Sequence, residues 1–194
     1  MNIILASASP RRRELLSSMG WHFSVEPSYI TEKTVPGESA EEMVCRLALS
    51  KADDIFSRRG GSWVVGADTV VSADGVIYGK PRNDDAALDM LMNLQGKTHS
   101  VITGVALIAP DGRKKSAFEK TTVTFRAMTR EELSAYVASG ESLDKAGAYA
   151  IQDKGALLVE KINGCYFNVV GLPIQLLSKM FSDMGWPLSE QWGK

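Results

Sequence analysis

The spacing of hydrophobic residues along the chain changes repeatedly between the period of a helix and that of a strand. Behind the capping-box pattern Ser39-Ala40-Glu41-Glu42, apolar residues recur three and four positions apart, which predicts a helix over residues 39–57. A second capping box at Thr129 predicts a helix that stops at Gly140. Capping, proline and glycine signals predict three more helices, at residues 10–19, 83–94 and 173–184.

Short β-branched runs predict the strands. The run 62–71 is β-rich but is interrupted by Gly66-Ala67-Asp68-Thr69. A turn signal follows it, so two strands around a bend are predicted, with a strand at 76–78. Residues 99–109 and 115–126 are predicted as long strands joined by the turn sequence Pro110-Asp111-Gly112-Arg113, which favours a hairpin. Further strands are predicted at 2–6, 22–26 and 156–162, and residues 141–155 are loop-like. Alternating helices and strands followed by a long hairpin predict an α/β fold with a mixed sheet.

Composition narrows the possible partners. The 194 residues are 44% hydrophobic and carry a net charge of -1, with no repeat or linker, so we expect one domain over residues 1–194. This charge argues against a nucleic-acid polymer as ligand. No apolar run reaches the roughly 18 residues of a membrane span, and the basic residues follow the first apolar run, unlike a signal peptide. Cys45 and Cys165 are far apart, which indicates reduced thiols and a cytoplasmic location.

The first candidate site lies where the first strand gives way to a helix. Ser7 and Ser9 precede Pro10, and Arg11 and Arg12 follow it. A helix N-terminus offers free N–H groups and a positive dipole end, so two hydroxyls and two guanidinium groups there form a phosphate cradle. The alternative is an ordinary capped helix with its arginines in solvent.

The second candidate site is Asp68, directly after an apolar β run. Ligands gather at strand ends in open α/β sheets, and a carboxylate there can hold Mg²⁺ or deprotonate a water. An Asp that ends a strand is also a common turn former. Glu32 lies in a polar loop, where the alternative is a solvated surface residue.

Several other classes of site are excluded by spacing. Gly79-Lys80-Pro81 fails the P-loop pattern at both ends, although Lys80 remains a candidate phosphate ligand beside the alternative of an exposed turn lysine. No G-x-G-x-x-G or G-x-S-x-G motif is present. His99, in a β run, is interpreted as a structural residue with a satisfied hydrogen bond. Any metal therefore needs oxygen ligands, which points to Mg²⁺ or Mn²⁺ with substrate phosphates completing its shell.

In their order along nearly the whole chain, these motifs resemble the Maf family of nucleotide pyrophosphatases. The matching strings are Leu5-Ala6-Ser7-Ala8-Ser9-Pro10-Arg11-Arg12, Glu32, Gly66-Ala67-Asp68-Thr69-Val70-Val71, Gly79-Lys80-Pro81, Leu94-Gln95-Gly96-Lys97-Thr98-His99 through Thr103-Gly104, Asp144-Lys145-Ala146-Gly147-Ala148-Tyr149-Ala150-Ile151-Gln152, and Asn168-Val169-Val170-Gly171-Leu172-Pro173. The stretch from Lys145 to Gln152 looks like the branch that acts on dTTP and UTP, rather than the branch that prefers 7-methyl-GTP. Asp153 stands where the family frequently has a glycine.

The resemblance implies a three-layer α/β/α fold with a long mixed sheet and a cleft between two lobes, often as a homodimer. It places the general base on Asp68 and the residues for substrate choice on Arg11, Thr69 and Gln152. The family positions around the phosphates and the metal fall on Arg12, Glu32, Lys51 and Lys80, and the divalent ion is assigned to Glu32 and Asp68.

The implied reaction is hydrolysis of dTTP and UTP to the nucleoside monophosphate and pyrophosphate, because the cationic side chains suit a polyphosphate and the acids suit an activated water. The alternative from another class is a nucleotide-binding regulator of cell division without turnover. A third possibility is a house-cleaning enzyme for modified pyrimidine nucleotides, with the same chemistry. Gln152 is expected to read the uracil or thymine edge, beside the alternative of a loop glutamine bonded to backbone.

Overall fold

The structure, a computed structural model, describes residues 2–33 and 35–192. Within them seven strands form one sheet: β1 (Ile3–Leu5), β2 (Phe23–Val25), β3 (Trp63–Ala73), β4 (Val76–Tyr78), β5 (Thr98–Ile108), β6 (Lys114–Phe125) and β7 (Val159–Asn163). The order is β2-β1-β3-β5-β6-β7, with β4 paired to β3. β1 runs parallel to β2 and β3, whereas β3 pairs antiparallel with β4 and β6 antiparallel with β7. The predicted mixed sheet is confirmed.

The described helices follow the predicted caps closely. They are α1 (Pro10–Ser18), α2 (Ala40–Arg59), α3 (Asp84–Leu94), α4 (Arg130–Ala138), α5 (Tyr166–Val170), α6 (Ile174–Asp183) and α7 (Leu188–Gln191). Ser39 and Thr129 form complete capping boxes, and Ser9 and Asn83 cap α1 and α3 through their side chains. The short helices α5 and α7 have no counterpart among the sequence predictions.

Two strand predictions are wrong in detail. The interruption predicted at residues 66–69 does not occur, because β3 continues through them from Trp63 to Ala73. The predicted strand 156–162 begins only at Val159, since a 3₁₀ helix occupies Asp153–Leu158. Part of the predicted loop 141–155 is also ordered into a 3₁₀ turn at Ala146–Ala148.

The chain divides into two compact units. The first unit consists of the described residues within Met1–Asp68, Thr103–Glu119 and Gly171–Lys194, and the second of Thr69–Ile102 and Lys120–Val170. Among the described residues, no helix has the length and apolar character needed to cross a bilayer.

In the first unit, β3 carries a helix on each face. Successive strand residues point to opposite faces, so Val64 and Trp63 face opposite ways. Val64 is buried in a cluster with Ala48, Ala52 and Ile55 of α2. The ring of Trp63 instead packs edge-on against Phe181 of α6, 5.2 Å between centroids. Helix, sheet and helix therefore form the three layers expected from the resemblance.

The second unit has its own core, built by α3, α4 and the strand segments between them. Its buried aromatic residues are Phe125, Tyr136 and Tyr149, packed with Leu91 and Leu133. The 3₁₀ turn Ala146–Ala148 contacts α3, and Ala148 and Tyr149 are buried in this core, so the segment is packed against α3.

Two glycines bring α2 unusually close to the sheet. A Cβ at Gly66 would lie 2.1 Å from the carbonyl oxygen of Ala48, and one at Gly104 would lie 2.3 Å from the backbone of Val44. Both distances are far below van der Waals contact, so only glycine fits at these strand positions. This close packing fixes the position of the polar residues that α2 carries.

Candidate active site

The most distinctive polar feature of the first unit is a lysine shared by two acids, which we call the Glu32–Lys51–Asp68 cluster. Lys51 Nζ lies 2.6 Å from Glu32 Oε1 and 2.6 Å from Asp68 Oδ1. The side chains of Lys51 and Asp68 are largely buried, at 13% and 11% exposure, whereas that of Glu32 is 53% exposed. Two carboxylates thus meet at one point with one of them open to solvent.

The position of Asp68 follows from strand periodicity. Val64, Gly66 and Asp68 are alternate residues of β3 and point to the same face, the one covered by α2. Gly66 contacts α2 at Ala48 and Ala52, which flank Lys51 in the sequence. The glycine contact therefore brings Lys51 within reach of Asp68.

A second residue of α2 holds the loop that carries Glu32. Arg46 binds the Glu38 carboxylate through two hydrogen bonds of 2.6 and 2.5 Å, and its Nη2 donates to the carbonyl of Lys33 at 3.0 Å. The hydrogen bond raises the pKa of Arg46 and lowers the pKa of Glu38. The loop is therefore anchored to α2 at two places, at Glu32 by Lys51 and at Lys33 and Glu38 by Arg46.

The start of α1 is built as a cradle around Arg12. Arg12 Nε donates to the carbonyl of Gly171 at 2.8 Å, and its Nη1 donates to Ser7 Oγ at 3.1 Å. Ser7 Oγ also accepts from the backbone N–H of Ser9 at 3.2 Å. Because the Ser7 hydroxyl oxygen already accepts two hydrogen bonds, the hydroxyl can still donate its own hydrogen, and an anion is a suitable acceptor for it. The guanidinium is thus oriented by neighbours rather than extended into solvent.

The electrostatics connect Arg12 to the acidic cluster. Burial lowers the pKa of Arg12, and the charges of Asp68 and Glu32 oppose that shift while Arg11 adds to it. Arg12 therefore interacts electrostatically with both carboxylates of the cluster. Two arginines, one shared lysine and two acids of the first unit thus form one charged group, and all five are candidates named from the sequence: Arg11, Arg12, Lys51, Glu32 and Asp68.

The remaining candidates belong to the second unit. Thr69 opens it as the residue after Asp68 and is partly buried, Lys80 is exposed, and Gln152 is partly buried. Gln152 precedes the 3₁₀ helix Asp153–Leu158 and makes no side-chain capping bond to it. Asp153 adopts φ +54°, the left-handed conformation that favours glycine, so an aspartate here retains the backbone shape of a glycine position.

Sequence reasoning missed two residues that position the site. The Gly171 carbonyl holds Arg12, and Arg46 holds the Glu32 loop. Neither had a local signal, since one acts through its backbone and the other resembles an ordinary helix-surface arginine. In the described part of the chain, no three Asp, Glu, His or Cys side chains are grouped to hold a metal ion.

The fold and the site together define a structural class of protein. Its members have an open α/β sheet, with a charged site containing acidic residues where a strand and a helix N-terminus supply the side chains. A HAM1 protein from Coxiella burnetii has the same fold, with a TM-score of 0.51 and 15% identity over 94% of this chain and 99% of that one. At that identity the likeness concerns the fold alone.

The family is shown by sequence. The model for Maf-like proteins matches residues 2–184, and the chain belongs to this family. A relative named dTTP/UTP pyrophosphatase from Moorella thermoacetica is 46% identical over 99% of this chain and 98% of its own length. Another of that name, from Gloeobacter violaceus, is 49% identical over 94% of this chain and 96% of its own.

Proposed function

We propose that this protein is a nucleoside triphosphate pyrophosphatase that hydrolyses dTTP and UTP to the nucleoside monophosphate and pyrophosphate. The observation that carries the proposal is the Glu32–Lys51–Asp68 cluster beside Arg12, because a triphosphate needs both cationic ligands and a base for water. The names of the relatives support turnover of these two nucleotides rather than regulation without turnover.

The cationic side chains would bind and orient the polyphosphate. Arg12 is already held by the Gly171 carbonyl and Ser7, so little side-chain freedom is lost when it binds an anion. The bidentate geometry of a guanidinium matches two phosphate oxygens. Arg11, Ser9 and Lys51 are proposed as further phosphate ligands, and the family resemblance adds Lys80.

Asp68 would act as the general base. Its Oδ1 accepts a hydrogen bond from Lys51, and we assign proton acceptance from the attacking water to the other oxygen, Oδ2. Attack at the α-phosphorus then releases pyrophosphate. Thr69 and Gln152 are proposed to select the base, and the modified pyrimidines of a house-cleaning enzyme would use the same chemistry.

The donor set also fits a divalent cation. Glu32 and Asp68 each place one carboxylate oxygen 2.6 Å from the same ammonium nitrogen, so two hard oxygen ligands already converge on one positive charge. Mg²⁺ or Mn²⁺ is suited to two carboxylates plus substrate phosphates. When bound there, such an ion would lower the pKa of a water and neutralise phosphate charge.

The variant Asp68→Asn tests the proposal directly. We expect the variant to remain folded and to bind nucleotide, while kcat for dTTP falls by on the order of a hundredfold or more. Asp89→Asn, the same change at an exposed position of α3, should leave turnover unchanged. Products are to be separated by ion-exchange chromatography, with and without a chelator.

Three outcomes contradict the proposal. Near wild-type turnover of Asp68→Asn would remove its role as base. Diphosphate and orthophosphate as first products would place the attack on another phosphorus. Full activity in excess chelator would exclude the divalent ion.

The setting of the enzyme is also part of the proposal. Both cysteines are unpaired, and reduced thiols fit a cytoplasmic location, where free nucleotides are found. We propose a homodimer, to be tested by light scattering on the purified protein. A monomer mass would contradict that assignment and leave the catalytic one intact.

A further inference from the structure

The segment Lys145–Asp153 of the second unit has a backbone that few sequences adopt. Gly147 and Ala148 have φ of +67° and +64°, and Asp153 has φ of +54°. Two of these three residues carry a Cβ, and L side chains rarely occupy this region. Such conformations persist only where the surroundings fix them. Gln152 lies between two of these fixed points.

Gly147 is held from two sides. Its N–H donates to the carbonyl of Gly79 at 3.0 Å. A Cβ on it would lie 2.8 Å from Cγ2 of Val71, so the backbone is pressed onto β3. The segment is therefore tied to the residue before Lys80 and to the strand that carries Thr69.

Tyr149 is the buried anchor of the same segment. It is 5% exposed, and its Oη lies 2.7 Å from Nε2 of His99, which is 3% exposed. Phe125 packs edge-on against both rings, with centroids 4.6 Å from Tyr149 and 4.8 Å from His99. The three rings hold one another in fixed orientations.

Burial keeps the hydrogen-bonded pair neutral. It lowers the pKa of His99 to about 4 and raises the pKa of Tyr149 above its ordinary value. Neither group changes charge near neutral pH. Nδ1 of His99 has no hydrogen-bond partner among the described residues, so the contact with Tyr149 is the polar bond that this imidazole makes there.

The residues between Tyr149 and Gln152 couple the position of one side chain to that of the other. Ala150 and Ile151 are both buried at 8% exposure, which leaves them no room to absorb a shift. Beyond Gln152, a Cβ at Gly155 would lie 2.0 Å from the carbonyl oxygen of Ala150, so the turn closes tightly on itself. A displacement of Tyr149 must therefore move Gln152.

We propose that Tyr149, held by His99, is a positioning residue that sets base selectivity by fixing Gln152. This inference rests on the proposed function, in which Gln152 reads the edge of a uracil or thymine ring. A site that satisfies the hydrogen bonds of one base rejects others because its groups are left unpaired, and a misplacement of about 1 Å is enough to lose this. The hydroxyl of Tyr149 is buried and bonded to His99, so its effect on the base is exerted through the loop.

The experiment measures selectivity rather than activity alone. The ratio of kcat/KM for dTTP to that for dATP is determined for wild type, Tyr149→Phe, His99→Gln and Gln152→Ala. Tyr149→Phe removes only the hydroxyl, and Tyr166→Phe is the matched control, since Tyr166 lies in the same unit and is 41% exposed. Circular dichroism confirms that each variant is folded at the assay temperature.

We expect the ratio to fall about tenfold in Tyr149→Phe and to stay unchanged in Tyr166→Phe. In a Gln152→Ala background, Tyr149→Phe should change the ratio no further, because its effect passes through Gln152. His99→Gln should lower the ratio in the same direction as Tyr149→Phe.

Two results would overturn the inference. One is an unchanged ratio in Tyr149→Phe, and the other is a loss of selectivity that persists in full when Gln152 is already alanine. Calorimetric binding of non-hydrolysable dTTP and dATP analogues separates this failure from that of the proposed function. If wild type binds with thymine preference but does not hydrolyse, only the proposed reaction fails; if it shows no base preference in binding, the inference fails too.

Discussion

The close approach of α2 to β3 predicts a severe effect of Gly66→Ala. The new Cβ would lie 2.1 Å from the Ala48 carbonyl oxygen and 3.0 Å from the Ala52 nitrogen, where ordinary contact begins at 3.4 Å. The helix must therefore retreat by about 1.3 Å, the difference between 2.1 and 3.4 Å. Overpacking costs about 1–3 kcal/mol, and because the clash is with rigid backbone we expect about 3 kcal/mol at this site.

The same retreat should reduce catalysis. Lys51 moves with the helix while Asp68 stays on the strand, so their 2.6 Å contact lengthens. A displacement of about 1 Å in a catalytic group lowers the rate by up to about a hundredfold. We therefore expect Gly66→Ala to lower both the free energy of unfolding and kcat.

Urea unfolding followed by tryptophan fluorescence measures the first effect, and dTTP hydrolysis by the folded protein measures the second. Gly79→Ala is the control, because a Cβ there meets nothing within 4 Å and the backbone needs no positive φ. Its free energy of unfolding should stay within about 0.5 kcal/mol of wild type. An equally small change in the free energy of unfolding of Gly66→Ala would refute the close packing of α2 on β3 as a source of stability. A large loss of stability with normal kcat would show that the position of Lys51 does not depend on this packing.

Three further predictions follow from the charged and polar groups. Lys51→Met leaves Asp68 buried without its ammonium partner and should lower the free energy of unfolding by about 3 kcal/mol, measured by urea titration. The double variant Lys51→Met/Asp68→Asn should regain part of this loss, because the unpaired charge is then removed. Because the folded pKa of His99 is about 4 against an ordinary 6.5, the unfolded state binds the proton first, and stability falls as the pH drops from 6.5 to 4. That loss amounts to about 3 kcal/mol and should be absent in His99→Gln but present in His22→Gln, whose histidine is exposed. Gln152→Ala should lose kcat/KM selectively on dTTP and UTP; equal losses on CTP, dATP and dGTP would show that it supports the loop.

The sequence predicted correctly those helix ends and turns that are determined by residues close to one another in the chain. The capping boxes at Ser39 and Thr129 and the hairpin turn at residues 110–113 act within a few residues, so the sequence states them directly. The predicted interruption of the strand at Gly66 was wrong for a physical reason. A glycine within a β run usually marks a break, but here it makes room for a helix that is distant in sequence.

The sequence indicated individual candidate residues for the site but not the contacts between them. Asp68 follows from an apolar run and Arg12 from a helix start, yet nothing local indicates that Lys51 joins Glu32 to Asp68. The positioning groups were less visible still. The Gly171 carbonyl acts through the backbone, and the pairing of His99 with Tyr149 spans 50 positions in sequence.

The anchoring of the Glu32 loop has a consequence for hydrogen exchange. The described residues of this loop are attached to α2 by side chains, through Lys51 at Glu32 and through Arg46 at Lys33 and Glu38. Helix α2 itself is buried against the sheet, so its amide protons should exchange only when the first unit opens globally. The loop amides should exchange far faster, through local opening as the ion pairs separate. A nucleotide bound by Lys51, together with a divalent ion held by Glu32, would then slow exchange in the loop while leaving that of α2 unchanged.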